Sequence, residues 1–175
     1  MAGSASNNAM FRSTLWINMV LGGNYAGALL YEQGQTKVLV KISAEIVAPK
    51  PEKPAEGFLH FKVSCMACPH SFEQNKKNSN ELTKLLEKII VGSNALDPES
   101  LCILTGKFVW QLTIDCIVVR DDGNIYDAAL NATIVALMDM RKPLVDVEKS
   151  SVKLGQKQLH LSIAHTPFSF TFGMI

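Results

Sequence analysis

Between Asp97 and Pro143 the chain reads DPESLCILTGKFVWQLTIDCIVVRDDGNIYDAALNATIVALMDMRKP, and this stretch constrains the fold most because it joins a buried strand to a buried helix across an acidic turn. From Phe108 to Val119 the residues are mostly β-branched, aromatic or aliphatic, interrupted by Gln111, Thr113 and Asp115. Such a run suits a strand covered on both faces. Arg120-Asp121-Asp122-Gly123-Asn124 breaks it with Asp-Gly turn chemistry. Asp127 is then placed to cap a helix whose Ala128, Ala129, Ala132 and Ala136 permit close approach to a sheet. The helix is expected to end near Arg141-Lys142-Pro143, where proline forbids continuation. A turn between a strand and a helix is also a place where an enzyme can hold phosphate.

At 175 residues and 47% hydrophobic content the chain fits one domain with a real core. The start, MAGSASNNAM, is small and polar, which is neither a signal peptide nor an arginine-rich transit pattern, so residues 1–10 are expected to form a flexible segment. The apolar run Leu15 to Leu21 is far shorter than the ~20 residues of a membrane-spanning helix. The expectation is a soluble intracellular protein with no membrane partner. Net charge is +1, so no global field draws the molecule onto nucleic acid and any RNA contact must be local. Cys65, Cys68, Cys102 and Cys116 lack the spacing of a disulfide framework and are read as reduced and mostly buried. Cys65-Met-Ala-Cys68 has the spacing of zinc ribbons and thioredoxin-like sites, with His70 as a conceivable third ligand, but a structural zinc site wants a second close pair. No metal and no cofactor is therefore expected.

Two strands, Leu15 to Leu21 and Ala26 to Tyr31, flank a Gly22-Gly23-Asn24 turn, and a third follows from Lys37 to Glu45. The proline-rich Val47 to Gly57 reads as an exposed loop, and Phe58 to Met66 alternates as a fourth strand with one face inward. From Ser79 to Val91, Leu82, Leu85, Leu86, Ile89 and Ile90 recur at helical spacing opposite Glu81, Lys84, Glu87 and Lys88. Gly92-Ser93-Asn94 ends that helix, and Asp97-Pro98-Glu99-Ser100 supplies a turn or short cap. After Pro143 come a β stretch near Val145 to Val152, a turn at Gly155 and a strand from Leu159 to Phe172. The predicted order is ββββαβαββ in one sheet-plus-helix layer arrangement. Phe168, Phe170 and Phe172 alternate with nothing after them to cover them, so a chain lacking its C-terminal part is expected to expose apolar surface.

Ala44-Glu45, Pro49, Glu56-Gly57, Met66-Ala67, Pro69, Phe72-Glu73, Glu99-Ser100-Leu101-Cys102, Val109-Trp110-Gln111, Asp115, Asp122-Gly123-Asn124-Ile125 and Asp127-Ala128-Ala129 together resemble the RNase PH-like subunits of the eukaryotic RNA exosome. Pro143, Leu161-Ser162-Ile163, His165 and Pro167 extend the likeness, which covers nearly everything from Phe11 to Phe172. The resemblance implies an α+β fold, the RNase PH-like β-α-β-α domain (ribosomal protein S5 domain 2-like), over residues 11–175 with its C-terminal part missing. The family also starts with a helix and an Asp-Gly-Arg segment, which the small polar start replaces here.

Active members of that family carry Gly-Thr-Arg after the Asp-Gly turn, where hydroxyl and guanidinium hold the attacking phosphate; this chain has Asn124-Ile125-Tyr126. Neither Ile125 nor Tyr126 replaces a bidentate, permanently charged ligand, and Asp121, Asp122 and Asp127 repel a phosphate dianion. The family's general-acid region lies beyond Ile175. The resemblance thus implies a non-catalytic ring subunit, acting in rRNA processing and RNA decay beside other RNase PH-like subunits, in particular the ribosomal RNA-processing protein 41 type, under S1/KH cap subunits, in nucleus, nucleolus and cytoplasm. A phosphorolytic 3′-5′ exoribonuclease active in its own right is the alternative. By the same resemblance Lys84 and Lys88, one turn apart, contact RNA, with Lys76 and Lys77 in the preceding loop as secondary candidates. Against this, Glu81 to Lys84 and Glu87 to Lys88 can simply form a solvated charged face.

An acidic-turn calcium site lacks the D-x-[DN]-x-[DN]-G pattern. Asn131-Ala132-Thr133 matches a glycosylation sequon but falls in the predicted buried helix, and His60, His70, His160 and His165 show no paired spacing.

Overall fold

Period-two alternation in the longest strands determines which sheet face is buried, and the computed structural model describes residues 15–21, 24–66, 72–148 and 151–172. In chain order the elements are β1 (Leu15–Leu21), β2 (Asn24–Gln33), β3 (Thr36–Val47), β4 (Phe58–Cys65), α1 (Phe72–Ile90), a 3-10 turn (Pro98–Leu101), β5 (Cys102–Leu104), β6 (Phe108–Arg120), α2 (Ile125–Asp139), β7 (Arg141–Glu148) and β8 (Ser151–His160). The main sheet runs β1-β2-β3-β6-β4, with β5 paired to β6. All its pairings are antiparallel except β4 with β6, the two strands that α1 connects. A parallel pair needs such a crossover because the chain must return to the same end of the sheet.

One face of this sheet is closed. Val38, Val40, Ile42 and Ala44 of β3 alternate inward beside Leu112, Ile114 and Cys116 of β6 and Phe61 of β4. Leu82, Leu86 and Ile90 of α1 and the alanine-rich side of α2 belong to the same core, so both helices cover the same face. Ala128, Ala129 and Ala132 are fully buried, and their short side chains let α2 lie close over β2, β3 and β6. The opposite face carries Lys41, Ser43, Gln111, Thr113, Asp115 and Lys62, exposed or half-buried. The expectation of a strand covered on both faces is thus corrected for β6: Gln111, Thr113 and Asp115 mark its open side.

Other boundaries move as well. The helix predicted from Ser79 begins at Phe72, because α1 propagates upstream of its docked leucines at little cost once they anchor it. β5 escaped the sequence reading; three residues turn back at Thr105-Gly106-Lys107 and pair with β6. The predicted single sheet is two: β7 and β8 form a separate hairpin, Gly155 lies within β8, and the helix stops at Asp139 so that Arg141-Lys142-Pro143 opens β7. Residues 161–172 form no strand beyond an isolated bridge between Leu96 and Ile163. The predicted flexible start, 1–10, and the Gly22-Gly23 part of the first turn lie outside the described residues.

Candidate functional site

The acidic turn is held from below by β3. The Thr36 hydroxyl, 2% exposed, donates to the Gly123 carbonyl at 2.8 Å and accepts from the Asp122 N–H at 3.0 Å. The Asp121 carboxylate accepts from the Gly123 N–H at 2.9 Å, and Gly123 (φ 98°) and Asn124 (φ 56°) take the left-handed conformations that reverse the chain into α2. Asn124 precedes the helix but caps it with no side-chain bond, and Asp127 is not the cap that the sequence suggested: it sits in the first turn. Its carboxylate, in a residue only 4% exposed, accepts from the Asn124 side-chain amide at 2.9 Å and from the Ser169 hydroxyl. The Thr171 hydroxyl donates to the Asn124 side-chain oxygen at 3.2 Å. Burial alone would raise the Asp127 pKa; the hydrogen bonds from Ser169, Thr171 and Asn124 outweigh it and hold the carboxyl below the usual carboxylate range.

This arrangement decides what the turn can do. A helix N-terminus attracts an anion through its free N–H groups and its dipole. Here the first turn already carries the chain's own Asp127 carboxylate, held by Asn124 and by Ser169 from the segment after β8. Ile125 is half-buried and the Tyr126 side chain is 43% exposed, so neither supplies a positive charge. Among the described residues no His, Cys, Asp and Glu group could hold a metal ion.

The predicted RNA contacts come together on α1. Lys76, Lys77 and Lys84 line one shallow open depression with Asn80 and Glu81, and Lys88 follows Lys84 one turn on. Lys76 and Lys77 were expected in the preceding loop; they lie in the helix itself. At 3.6 residues per turn Lys77, Lys84 and Lys88 fall within roughly 40° of one another, opposite the side that buries Leu82, Leu86 and Ile90. All four lysines are exposed, and no ion pair among the described residues engages them. Glu81 shares this face with the lysines, lining the same depression, but forms no ion pair with them among the described residues.

The thiols differ from expectation in one respect. Cys65, half-buried at the end of β4, is disulfide-bonded, whereas all four cysteines were expected to be reduced; Cys68 and His70 lie outside the described residues. Cys102 and Cys116 are free, and burial pushes the Cys116 thiol up to about 12, which leaves it inert as a nucleophile. His60, His160 and His165 are exposed, and His165 shares a 3.2 Å hydrogen bond with Ser93. Asn131 is 7% exposed within α2, in accord with discarding the sequon. The sequence reading missed Thr36, Ser169 and Thr171. Their one signal is a hydroxyl at an apolar-spaced or alternating position, and it names no partner.

A model of the 3′ exoribonuclease family, domain 1 (RNase PH), matches residues 13–143. The chain is 38% identical over 164 residues to exosome complex component RRP45 of Homo sapiens, covering 89% of this chain and 37% of that protein. It is 35% identical over 162 residues to RRP45A of Arabidopsis thaliana, covering 86% of this chain and 52% of the relative. The chain thus spans about 37% of the human relative's length and about half of the plant one's. Among solved structures an archaeal exosome core superposes with a TM-score of 0.65 at 28% identity over 94% of this chain and 62% of that one. An Archaeoglobus fulgidus exosome with RNA bound to the active site gives 0.58 at 27% identity over 77% of this chain and 54% of that one. The family match over the strands and helices that carry the acidic turn, with these likenesses in sequence and fold, makes the chain a member of the RNase PH 3′ exoribonuclease family, with the RNase PH-like α+β fold that its residues imply.

Proposed function

We propose that this chain is a non-catalytic RNase PH-like ring subunit of an RNA exosome, scaffolding the assembly and guiding RNA towards a 3′-5′ exonuclease in rRNA processing and RNA decay. One observation carries the loss of catalysis: the N-terminus of α2, where a phosphorolytic enzyme needs Thr-Arg to seat phosphate, presents Ile125-Tyr126 and encloses Asp127 under Ser169 and Thr171. A phosphate dianion there would meet a buried carboxylate with no guanidinium beside it. The relatives' names as exosome components support the assembly role. Its partners in this reading are other RNase PH-like subunits, in particular the ribosomal RNA-processing protein 41 type, S1/KH cap subunits and RNA, in the nucleus, nucleolus and cytoplasm. RNA contact falls to Lys84 and Lys88, with Lys76 and Lys77 beside them.

Incubation of the homogeneous chain with oligoadenylate and inorganic phosphate tests the chemistry. No nucleoside diphosphate is expected; its release would establish the competing phosphorolytic reading. Co-expression with a ribosomal RNA-processing protein 41 type subunit tests the assembly. Co-purification in a fixed ratio is expected, and two separate elution peaks would refute the scaffold role.

A further inference from the structure

The basic surface does not stop at α1. Asn80, which lines the depression with Lys76, Lys77 and Lys84, also lines a second open groove with Lys62, Lys41 and Asp115. This second groove wraps the outer edge of β4, the last strand of the sheet among the described residues, because its walls include Phe61 and Val63 from the helix-covered side and Lys62 and Ser64 from the open side. Register fixes the geometry of the far end. Lys41 of β3 is opposite Asp115 of β6, and Asp115 is opposite Lys62 of β4, so the three side chains form a row across the open face. Neighbouring strands lie about 4.8 Å apart, which spaces the two lysines roughly 10 Å across the sheet. Both lysines are exposed, and neither forms an ion pair with the half-buried Asp115 between them.

Charge is segregated onto this path. The two linings together hold five lysines against two carboxylates, Glu81 and Asp115, in a chain whose net charge is only +1. Among the described residues that line the two grooves the aromatic ring is that of Phe61, which is 3% exposed. Binding there would rest on phosphate contacts rather than on base stacking, and would be indifferent to sequence. A path that bends from a helix face around a strand edge suits a flexible single strand; a duplex is too stiff to follow it.

We infer that the lysine face of α1 continues around the β4 edge as one electrostatic track for single-stranded RNA, with Lys62 and Lys41 as its far phosphate contacts. This rests on the RNA-guiding role proposed above. Lys62 and Lys41 lie outside the residues that carry the family resemblance; the sheet register brings them to the track.

Fluorescence anisotropy with a labelled oligouridylate of about twelve nucleotides, titrated at salt from roughly 50 to 200 mM, tests it on the full chain. Each phosphate contact on a single strand contributes a slope of about −0.7 in log K against log salt, so K41Q/K62Q is expected to flatten the slope by about 1.4 and to weaken binding. D115N removes the carboxylate between the lysines and is expected to tighten binding. An unchanged slope in K41Q/K62Q, with a loss in K84Q/K88Q, overturns the track while leaving RNA guidance by α1 standing. A loss in K41Q/K62Q alone overturns the continuous track and the helix contact together, and no binding by the unaltered chain overturns both. Displacement of the RNA by polyglutamate at equal charge concentration would reassign the surface to an acidic protein partner.

Discussion

Asp127 shows how a single side chain sets what a turn can do. Its folded-state pKa is depressed, so it contributes stability that is complete above its unfolded value of about 3.9 and is lost as pH falls through the lower folded value. The urea midpoint of the protein is therefore expected to drop on acidification below about pH 4, and to drop less in Asp127→Asn, which has no such proton to take up. Parallel pH profiles for the two proteins would contradict this. Gly57 is constrained by space: a Cβ there would lie 2.4 Å from the Leu101 Cβ and 2.6 Å from the Trp110 carbonyl, while its N–H donates to the Pro98 carbonyl at 2.9 Å. Gly57→Ala is expected to cost about 1–3 kcal/mol, read as a lowered urea midpoint at constant m. Cys116, 1% exposed with its thiol pushed up to about 12, is expected to react with a disulfide reagent only on unfolding, whereas half-buried Cys102 reacts in the native protein. At this scale the sequence showed Ile125 and Tyr126 at the start of α2, where the family resemblance implies hydroxyl and guanidinium in active members. It did not show that Ser169 would bond Asp127 and Thr171 would bond Asn124, because those contacts span 42 and 47 residues.

Among the elements, those with strong periodicity were legible and those made by pairing were not. β3 and β6 lie where β-branched and apolar runs predict strands and β4 where alternation does, and in all three apolar residues two apart meet the same core. α1 is legible from Leu82, Leu86 and Ile90, but its polar first turns have no apolar stripe to mark them as helix. β5 has three residues and exists only because β6 offers it partners. The segment 161–172 shows the opposite error. Phe168, Phe170 and Phe172 alternate like a strand, yet they are 56%, 63% and 90% exposed, and side-chain bonds from Ser169 and Thr171 hold the chain instead of a ladder. The energetics of α1 separate its two sides. Leu86→Ala, on the buried side, is expected to destabilise by about 2–5 kcal/mol in urea unfolding, whereas K84Q/K88Q is expected to leave the midpoint within about 0.5 kcal/mol while weakening RNA binding. A large stability loss in K84Q/K88Q would show that these lysines hold the fold together.

On the scale of the molecule, the described residues close one face of the sheet with two helices and leave the other exposed, and the proposed basic path follows from this asymmetry. The whole-chain charge of +1 hides it, because a sum over residues discards where they lie. The expected assembly with other RNase PH-like subunits is checked by native mass spectrometry of the co-expressed pair, in which a defined heteromer supports the scaffold and two separate species oppose it. By itself the sequence determined the α+β class, the strands around the core, the amphipathic α1, the alanine side of α2 and the identity of Asn124-Ile125-Tyr126 after the acidic turn; all of these are local patterns or residue identities. Only the tertiary structure decided that Asp127 is sealed by Ser169 and Thr171, that β7 and β8 leave the main sheet, that Thr36 anchors the acidic turn, and that Lys41, Asp115 and Lys62 share one row. The physical reason is common to all four: each depends on which strand lies beside which, and pairing between residues far apart in the chain leaves no periodic trace along it.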